Sequence, residues 1–317
     1  MNNKLETFFE KDRWINHLVE TYHYTLYNLN QTYLLHVKSS LFGNRLISLP
    51  FSDYGKINNL DLDDLRKITS QTEAKYVEVR VPQWKKTIIN NLSENNFFLG
   101  VRYKTFLLDI DHDEETIWRK MNKKIRNSIR ASVKRKVKIK EIETIQDLKT
   151  YYNLYLKESK EIGSPPHSYN FFTSLFKNLR KNVVINIALK EDKPIAGLII
   201  FLGEKWANLW QSISLHRYRN LNASYLLIWD SITKLSSNGF RIFDFGRTRE
   251  ETGIHFFKKR WGGYEQDIYH FIFSENKQYK KIDPYDRKFI FLSKIWRKLP
   301  IKIIEKIGNR TIGGIAL

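Results

Sequence analysis

Residues 243–263, FDFGRTREETGIHFFKKRWGG, set Asp244 between two phenylalanines and then run through a Gly-Arg-Thr turn to Phe256, Phe257, Lys258, Lys259, Arg260 and Trp261. A solvated surface has no need of the aromatics, and a core does not accept the charges. Asp244, at the end of an apolar run, is placed either to take a proton from a substrate or to pair with Arg247 or Arg249. His255 in the same stretch reads as a structural, hydrogen-bonding residue rather than a base. Other chemistries lack their residues. The chain has no cysteine, which excludes disulfides, thiolate nucleophiles and zinc-thiolate sites. Its eight histidines are scattered, with no His-Glu-x-x-His pair. Neither a Gly-x-Ser-x-Gly elbow nor a Walker loop occurs, so a hydrolase or NTPase has no support. No metal site is expected.

The elements that must position this stretch belong to a 317-residue chain, 42% hydrophobic and 14% aromatic, in keeping with two packed domains. No run approaches the ~18 apolar residues of a membrane span. The beginning, MNNKLETFFEKDRWINHLVE, is polar and carries acids, unlike a signal or transit peptide, and the expected location is cytoplasmic. Lys and Arg number 54 against 34 Asp and Glu, a net charge of +20, which points to an anionic partner: RNA, a phosphorylated precursor or an acidic membrane face. Between Arg119 and Lys140 lie eleven basic residues and no acid.

Hydrophobic periodicity in the second half predicts a strand at 137–142, helices at 145–160 and 168–181, and strands in NVVINIAL, IAGLIIFL and WANLWQSIS. A helix over NASYLLIWDSITKLSSNG, the strand FRIFDFG, a short helix at 253–260 and the strand QDIYHFIF follow. A meander followed by a crossover helix makes a mixed sheet with one parallel connection. Ligands of such sheets bind at strand ends near a topological switch, and Asp244 stands at such an end. The first half repeats the order: helix 9–20, strands at 24–29, 32–38 and 45–50, helix 61–73, strand KYVEVRV, helix 83–91 and strands across 97–109. We therefore expect an α/β (α+β) protein of two related halves, 1–112 and 113–275, with mixed sheets flanked by helices.

Asp109, Asp111 and Asp113 alternate like the opening of a calcium loop, but Glu114 replaces the required glycine. Asp113 is instead expected to cap one basic helix, 113–135, with an apolar stripe of Ile117, Met121, Ile125, Ile129 and Val133. Its Arg126 and Arg130 form either a phosphate-binding or a solvated face. The tail, 276–317, alternates Phe, Ile, Leu and Trp with Lys and Arg; it either lies on an anionic membrane or packs back on the body.

The strand order matches the acetyltransferase-like (GNAT) fold, in which two splayed strands admit an acyl donor. That family cradles the pyrophosphate of coenzyme A in a glycine-rich loop, where this chain has RNLNAS: Arg219 fits, and Asn222 and Ser224 replace glycines. More specifically, LFGNRLISLPFSDYG (41–55), YVEVR (76–80), the pattern from Trp118 to Arg130, FDFG (243–246) and GIHFFKKRWG (253–262) resemble the FemAB-related family of tandem GNAT-like domains. The resemblance covers nearly the whole chain. Members of that family include enzymes that add amino acids from aminoacyl-tRNA to peptidoglycan precursors, and others whose substrates are undetermined.

The resemblance implies that Lys258, beside Phe257, stands at the donor ester, with Gly253, Trp261 and Gly262 completing the motif. A fixed cation sheltered by aromatics would stabilise the negative charge of ester aminolysis. It further implies catalytic roles for Lys258 and Asp244 and donor contacts at Phe257, Trp261, Arg247, Arg219 and Asn222. Acceptor or phosphate contacts would fall at Arg80, Arg126, Arg130 and Tyr54, although Arg80 reads equally as a salt-bridge residue. The expected function is amine attack on an activated acyl group, with no tightly bound cofactor. The donor is aminoacyl-tRNA or, alternatively, acyl-CoA; the acceptor is an anionic envelope glycan or lipid-linked precursor at the inner membrane face. A non-catalytic RNA-binding protein using residues 119–140 is the alternative from another class.

Overall fold

The computed structural model describes residues 6–40, 42–275, 279 and 286–316. The first half contains α1 (Asp12–Tyr22), β1 (Thr25–Leu29), β2 (Thr32–Val37), β3 (Arg45–Ile47), α2 (Leu62–Thr72), β4 (Val77–Pro82), α3 (Lys86–Glu94) and β5 (Phe98–Asp109). The second half begins with α4 (Glu114–Lys120), α5 (Lys123–Lys134), β6 (Lys138–Glu141), α6 (Ile145–Ile162) and α7 (Tyr169–Asn178). It continues with β7 (Val183–Lys190), β8 (Lys193–Leu202), β9 (Trp206–Ser214), α8 (Ala223–Ser237), β10 (Ile242–Asp244), α9 (Gly253–Lys259) and β11 (Tyr264–Phe273). Two helices, α10 (Arg287–Lys298) and α11 (Ile301–Ile315), end the described chain.

Among the described residues, both halves build one mixed sheet of eleven strands, in the order β1-β2-β3-β4-β11-β5-β10-β9-β8-β7-β6. Each half holds one parallel pair around a crossover helix, β3 with β4 and β9 with β10. The halves exchange their last strands. The strand β11 pairs with β4 of the first half, while β5 pairs with β10 of the second. Long antiparallel pairing of β11 with β5, from Tyr264↔Leu107 to Ile272↔Phe98, joins the two at the centre. We propose the loop near residue 112 as the boundary of the halves in sequence; the sheet crosses it without a break.

Asp113 caps α4, its Oδ1 accepting Thr116 N at 2.9 Å. The expected single helix 113–135 is, however, two. Met121 and Asn122 are extended, and Asn122 recaps the chain by accepting Lys124 N at 2.9 Å. Its own N–H is taken by Arg260 O at 2.9 Å, so α9 holds the break in place. The apolar stripe is buried from Ile117 to Ile129 and stops there; Val133 is exposed.

The tail packs on the body through α11. Its last carbonyls meet polar groups from inside the first half: Tyr24 OH donates to Gly313 O at 2.6 Å, Arg45 Nη1 to Ile315 O at 3.1 Å and Arg80 Nη2 to Ala316 O at 3.1 Å. Cations at a helix C-terminus face the negative end of its dipole. Gly308 lets this helix close on Pro166, where a Cβ would stand 2.5 Å from the proline ring.

Arg80 is therefore a buried structural cation. It is 1% exposed and bonds Glu78 Oε1 at 2.9 Å, Ser52 O at 2.9 Å and Leu49 O at 3.4 Å. Burial works to raise the Glu78 pKa, but Arg80 and His270 outweigh it and hold the carboxyl well below the usual range. The resulting stability is present above the ordinary glutamate pKa and is lost as the pH falls below it. Replacing Arg80 with Met would strand the Glu78 charge, and we expect a loss of about 3–5 kcal/mol in urea unfolding. The same variant should lose the α11 anchor, read as faster proteolysis after residue 286.

Candidate functional site

The strands β9 and β10 run side by side only through Trp206↔Ile242, Ala207↔Phe243 and Asn208↔Asp244. Beyond that point they part. The chain after β10 stays with β5, through Phe245 N to Phe106 O at 3.0 Å and the Thr248–Lys104 bridge. Meanwhile β9 stays with β8 and bulges at Trp210, where the register shifts between Leu209 and Gln211. A bulge twists its strand away from a neighbour. The result is a fork between two parallel strands, as the resemblance implied.

Asp244 pins the root of the fork. Fully buried, it accepts from Tyr54 OH, Thr105 Oγ1 at 2.5 Å, Asn208 Nδ2 at 2.9 Å, Trp206 Nε1 at 3.4 Å and Gly246 N at 2.9 Å. Burial, with help from the nearby Asp53 charge, pushes its pKa up to about 6 despite these donors. Its oxygens are filled, and it does not border the cavity. We read it as the residue that positions the fork, in place of the expected proton acceptor. Tyr54 serves the same hub and is equally buried, so it is not free to bind an acceptor.

Gly246 follows with φ of +70°, a region costly for a side chain. A Cβ there would stand 3.0 Å from both Leu209 O and Asp53 Oδ2. The turn it makes presents two carbonyls to Lys258, whose Nζ donates to Gly246 O at 2.7 Å and Arg247 O at 2.9 Å. Lys258 comes from α9, which Thr252 caps by accepting His255 N at 3.2 Å. An ammonium has three donors, and these two carbonyls use two of them. Burial lowers the Lys258 pKa to about 8, with Asp53 and Asp244 opposing and Arg247 assisting.

Lys258, Arg247 and Asp53 border a cavity of about 490 Å³ inside the fork. Arg247 pairs with Asp53, Nε to Oδ1 at 3.3 Å, and not with Asp244. The rest of the wall is mainly apolar, with Phe51, His167 and Trp210 from the body and Phe289, Ile312 and Ile315 from α10 and α11. A small number of charged groups in an apolar cleft of this size is the usual form of a small-molecule site. Sequence reasoning missed Asp53 although it adjoins Tyr54 in FSDYG, and nothing local marked Trp210 or the tail residues.

The other expected site residues lie elsewhere. Trp261 is fully buried beside Phe245 and Tyr225, out of reach of a donor. Phe257 is half-buried and packs edge-on against Tyr225 at 5.2 Å, as part of the wall between α8 and α9. Arg80 is committed to Glu78 and the tail. Arg130 is exposed on α5, its guanidinium over the Trp118 ring at 5.3 Å, and Arg126 is half-buried on the same helix. Arg219 is exposed on a 3-10 turn, His216–Leu221, before α8. Asn222 adopts the left-handed conformation, φ 57°, at the start of α8 without a side-chain cap, so it keeps a backbone shape usually given to glycine. None of these borders the fork cavity. His255 is structural as expected, its Nε2 3.0 Å from Glu265.

Residues 119–259, which include the fork and Lys258, match the family model for the acetyltransferase (GNAT) domain. No curated protein matches the chain. Among solved structures, FemX superposes with a TM-score of 0.62 at 13% identity, over 83% of this chain and 91% of that one. The C-terminal domain of a putative lysylphosphatidylglycerol synthetase from Agrobacterium fabrum gives 0.60 at 10% identity, over 84% and 89%. L-PGS from Bacillus licheniformis gives 0.56 at 10% identity, over 92% and 98%. At such identities these likenesses are of fold. The chain thus carries an acetyltransferase (GNAT) domain over residues 119–259 and shares the fold of FemX over most of its length.

Proposed function

We propose that this acyltransferase moves an aminoacyl group from aminoacyl-tRNA onto the amine of an anionic envelope glycan or lipid-linked precursor, at the inner face of the membrane. The observation that carries the reading is the Lys258 ammonium, held by two carbonyls in the wall of the fork cavity. The likeness to FemX, and to a protein named as a lysylphosphatidylglycerol synthetase, supports an aminoacyl donor. The exposed cations of α5, Lys123, Lys124 and Arg130, supply contacts for a polyanion. Among the described residues no helix is long and apolar enough to cross a membrane.

In this scheme the acceptor nitrogen attacks the ester carbonyl, and the bond to the ribose oxygen breaks. Lys258 faces the oxygen on which charge develops and gives its proton to the departing oxygen. The neutral lysine then takes the proton that the new amide nitrogen sheds, which restores the ammonium. A pKa near 8 suits both transfers. The Asp53–Arg247 pair orients the acceptor: the carboxylate favours its amine and the guanidinium its anionic group.

Acyl-CoA is a second donor reading, favoured by one feature. The left-handed backbone at Asn222 keeps the turn at the head of α8 that a pyrophosphate-binding loop needs, while its side chain and Ser224 narrow the approach.

Incubation of the purified chain with charged tRNA and, separately, with acyl-CoA, in the presence of envelope extract, should release the acyl group from charged tRNA. Retention of the acyl group by both donors would overturn the proposal, and transfer from acyl-CoA alone would select the second reading. Lys258→Met should lower single-turnover transfer about 10²–10³-fold. Because Lys258 is charged below its pKa, the wild-type rate should fall as the pH rises through about 8. A rate that climbs through that range without a falling limb would exclude the ammonium as the working form. Gly246→Ala should slow transfer by more than its effect on unfolding explains, since the added Cβ displaces Asp53 or the Leu209 carbonyl from the fork.

A further inference from the structure

Helix α10 carries six large apolar residues in twelve, yet none of its described side chains is fully buried. Phe291 is 64% exposed and Ile295 43%, while α11 leaves Ile303 and Ile307 43% and 41% exposed. A helix serving only a protein core buries such side chains. Phe291 with Ile295, and Ile303 with Ile307, are four residues apart, so each pair shares a helix face. Lys294, Lys298, Lys302 and Lys306 are exposed among them. Residues 287–315 hold eight Lys and Arg, against Glu305 as their single acid.

That combination selects the partner. A second copy of a chain with net charge +20 would bring like charges together. A nucleic acid would meet the lysines but leave the isoleucines and Phe291 in water. An anionic bilayer satisfies both, with apolar side chains entering the acyl boundary and amines meeting lipid phosphates. We propose that the exposed faces of α10 and α11 dock on an anionic lipid bilayer.

The surface is fixed to the enzyme. Tyr24, Arg45 and Arg80 hold the end of α11, and Ser293 Oγ of α10 donates to Ile162 O at 3.0 Å. Docking would thus orient the whole body. The same two helices contribute Phe289, Ser293, Ile312 and Ile315 to the cavity that Lys258 borders. A docked enzyme would hold that cavity at the lipid surface, where an acceptor with a polar head and an apolar chain is met. This bearing on the site rests on the acyl-transfer reading; the docking itself does not.

The test is flotation of the full chain with vesicles of mixed phosphatidylglycerol and phosphatidylcholine, and with phosphatidylcholine alone. The chain should float with the anionic vesicles, bind the neutral ones far less and lose binding as salt is raised. Phe291→Asp combined with Ile303→Asp should lower the bound fraction about tenfold. Lys294→Glu combined with Lys298→Glu should weaken binding and flatten its salt dependence. Both variants are expected to keep wild-type circular dichroism and donor deacylation in solution. Absence of flotation, or equal flotation of wild type and both variants, would overturn docking, as would a dimer in light scattering that the apolar variant dissolves. Failure of flotation with Lys258-dependent deacylation intact would remove the docking alone; flotation without deacylation would remove the transfer reading alone.

Discussion

A single buried carboxylate sets the geometry on which the site depends. Asp244 gathers Tyr54 and Thr105 from the first half of the chain and Trp206, Asn208 and the Gly246 amide from the second. A charge with no exposure is costly unless hydrogen bonds replace its water, and here they do. Because the donors come from both halves, the carboxylate also ties the halves together at the point where β9 and β10 part. The fork is therefore held at its root, and its opening is set by which neighbour each strand keeps.

From that root the charged groups of the cavity follow through a short series of contacts. Gly246 turns the chain, its carbonyl and that of Arg247 receive Lys258, and the Arg247 side chain closes on Asp53. The lysine is poised because it is both partly desolvated and held by neutral oxygens rather than by a carboxylate. A direct ion pair would have held its pKa up; burial brings it to about 8. Asp244 and Lys258 thus divide the labour between holding the fork and facing its contents.

A second buried cation closes the molecule from the other side. Arg80, balanced by Glu78, spends its remaining donors on the main chain of the loop at Leu49 and Ser52 and on the end of α11. The loop carries Phe51 and Asp53, and the tail helices carry Phe289, Ile312 and Ile315, so this one guanidinium braces two walls of the cavity. The residue expected to bind an acceptor phosphate braces the cavity walls instead.

Local sequence determined most elements of both halves, one parallel pair in each, the cap at Asp113 and the strand end at Asp244, because periodicity and capping act over a few residues. Lys258 was legible only through its resemblance to a known motif, since nothing about an isolated lysine reveals its burial. The break at Asn122 was hidden because a stripe of period four looks alike in one helix or two, and the recapping depends on the distant Arg260 carbonyl. Trp261, Phe257 and Tyr54 looked like contacts for a donor or acceptor, yet an aromatic is as fit for a core as for a ligand, and packing alone assigned them. Only the tertiary structure decided that β5 and β11 exchange halves to make one sheet, that Asp53 rather than Asp244 meets Arg247, and that the tail walls the cavity. Each of these joins residues far apart in the chain, and such contacts are selected by the closing of a whole core rather than by any local preference.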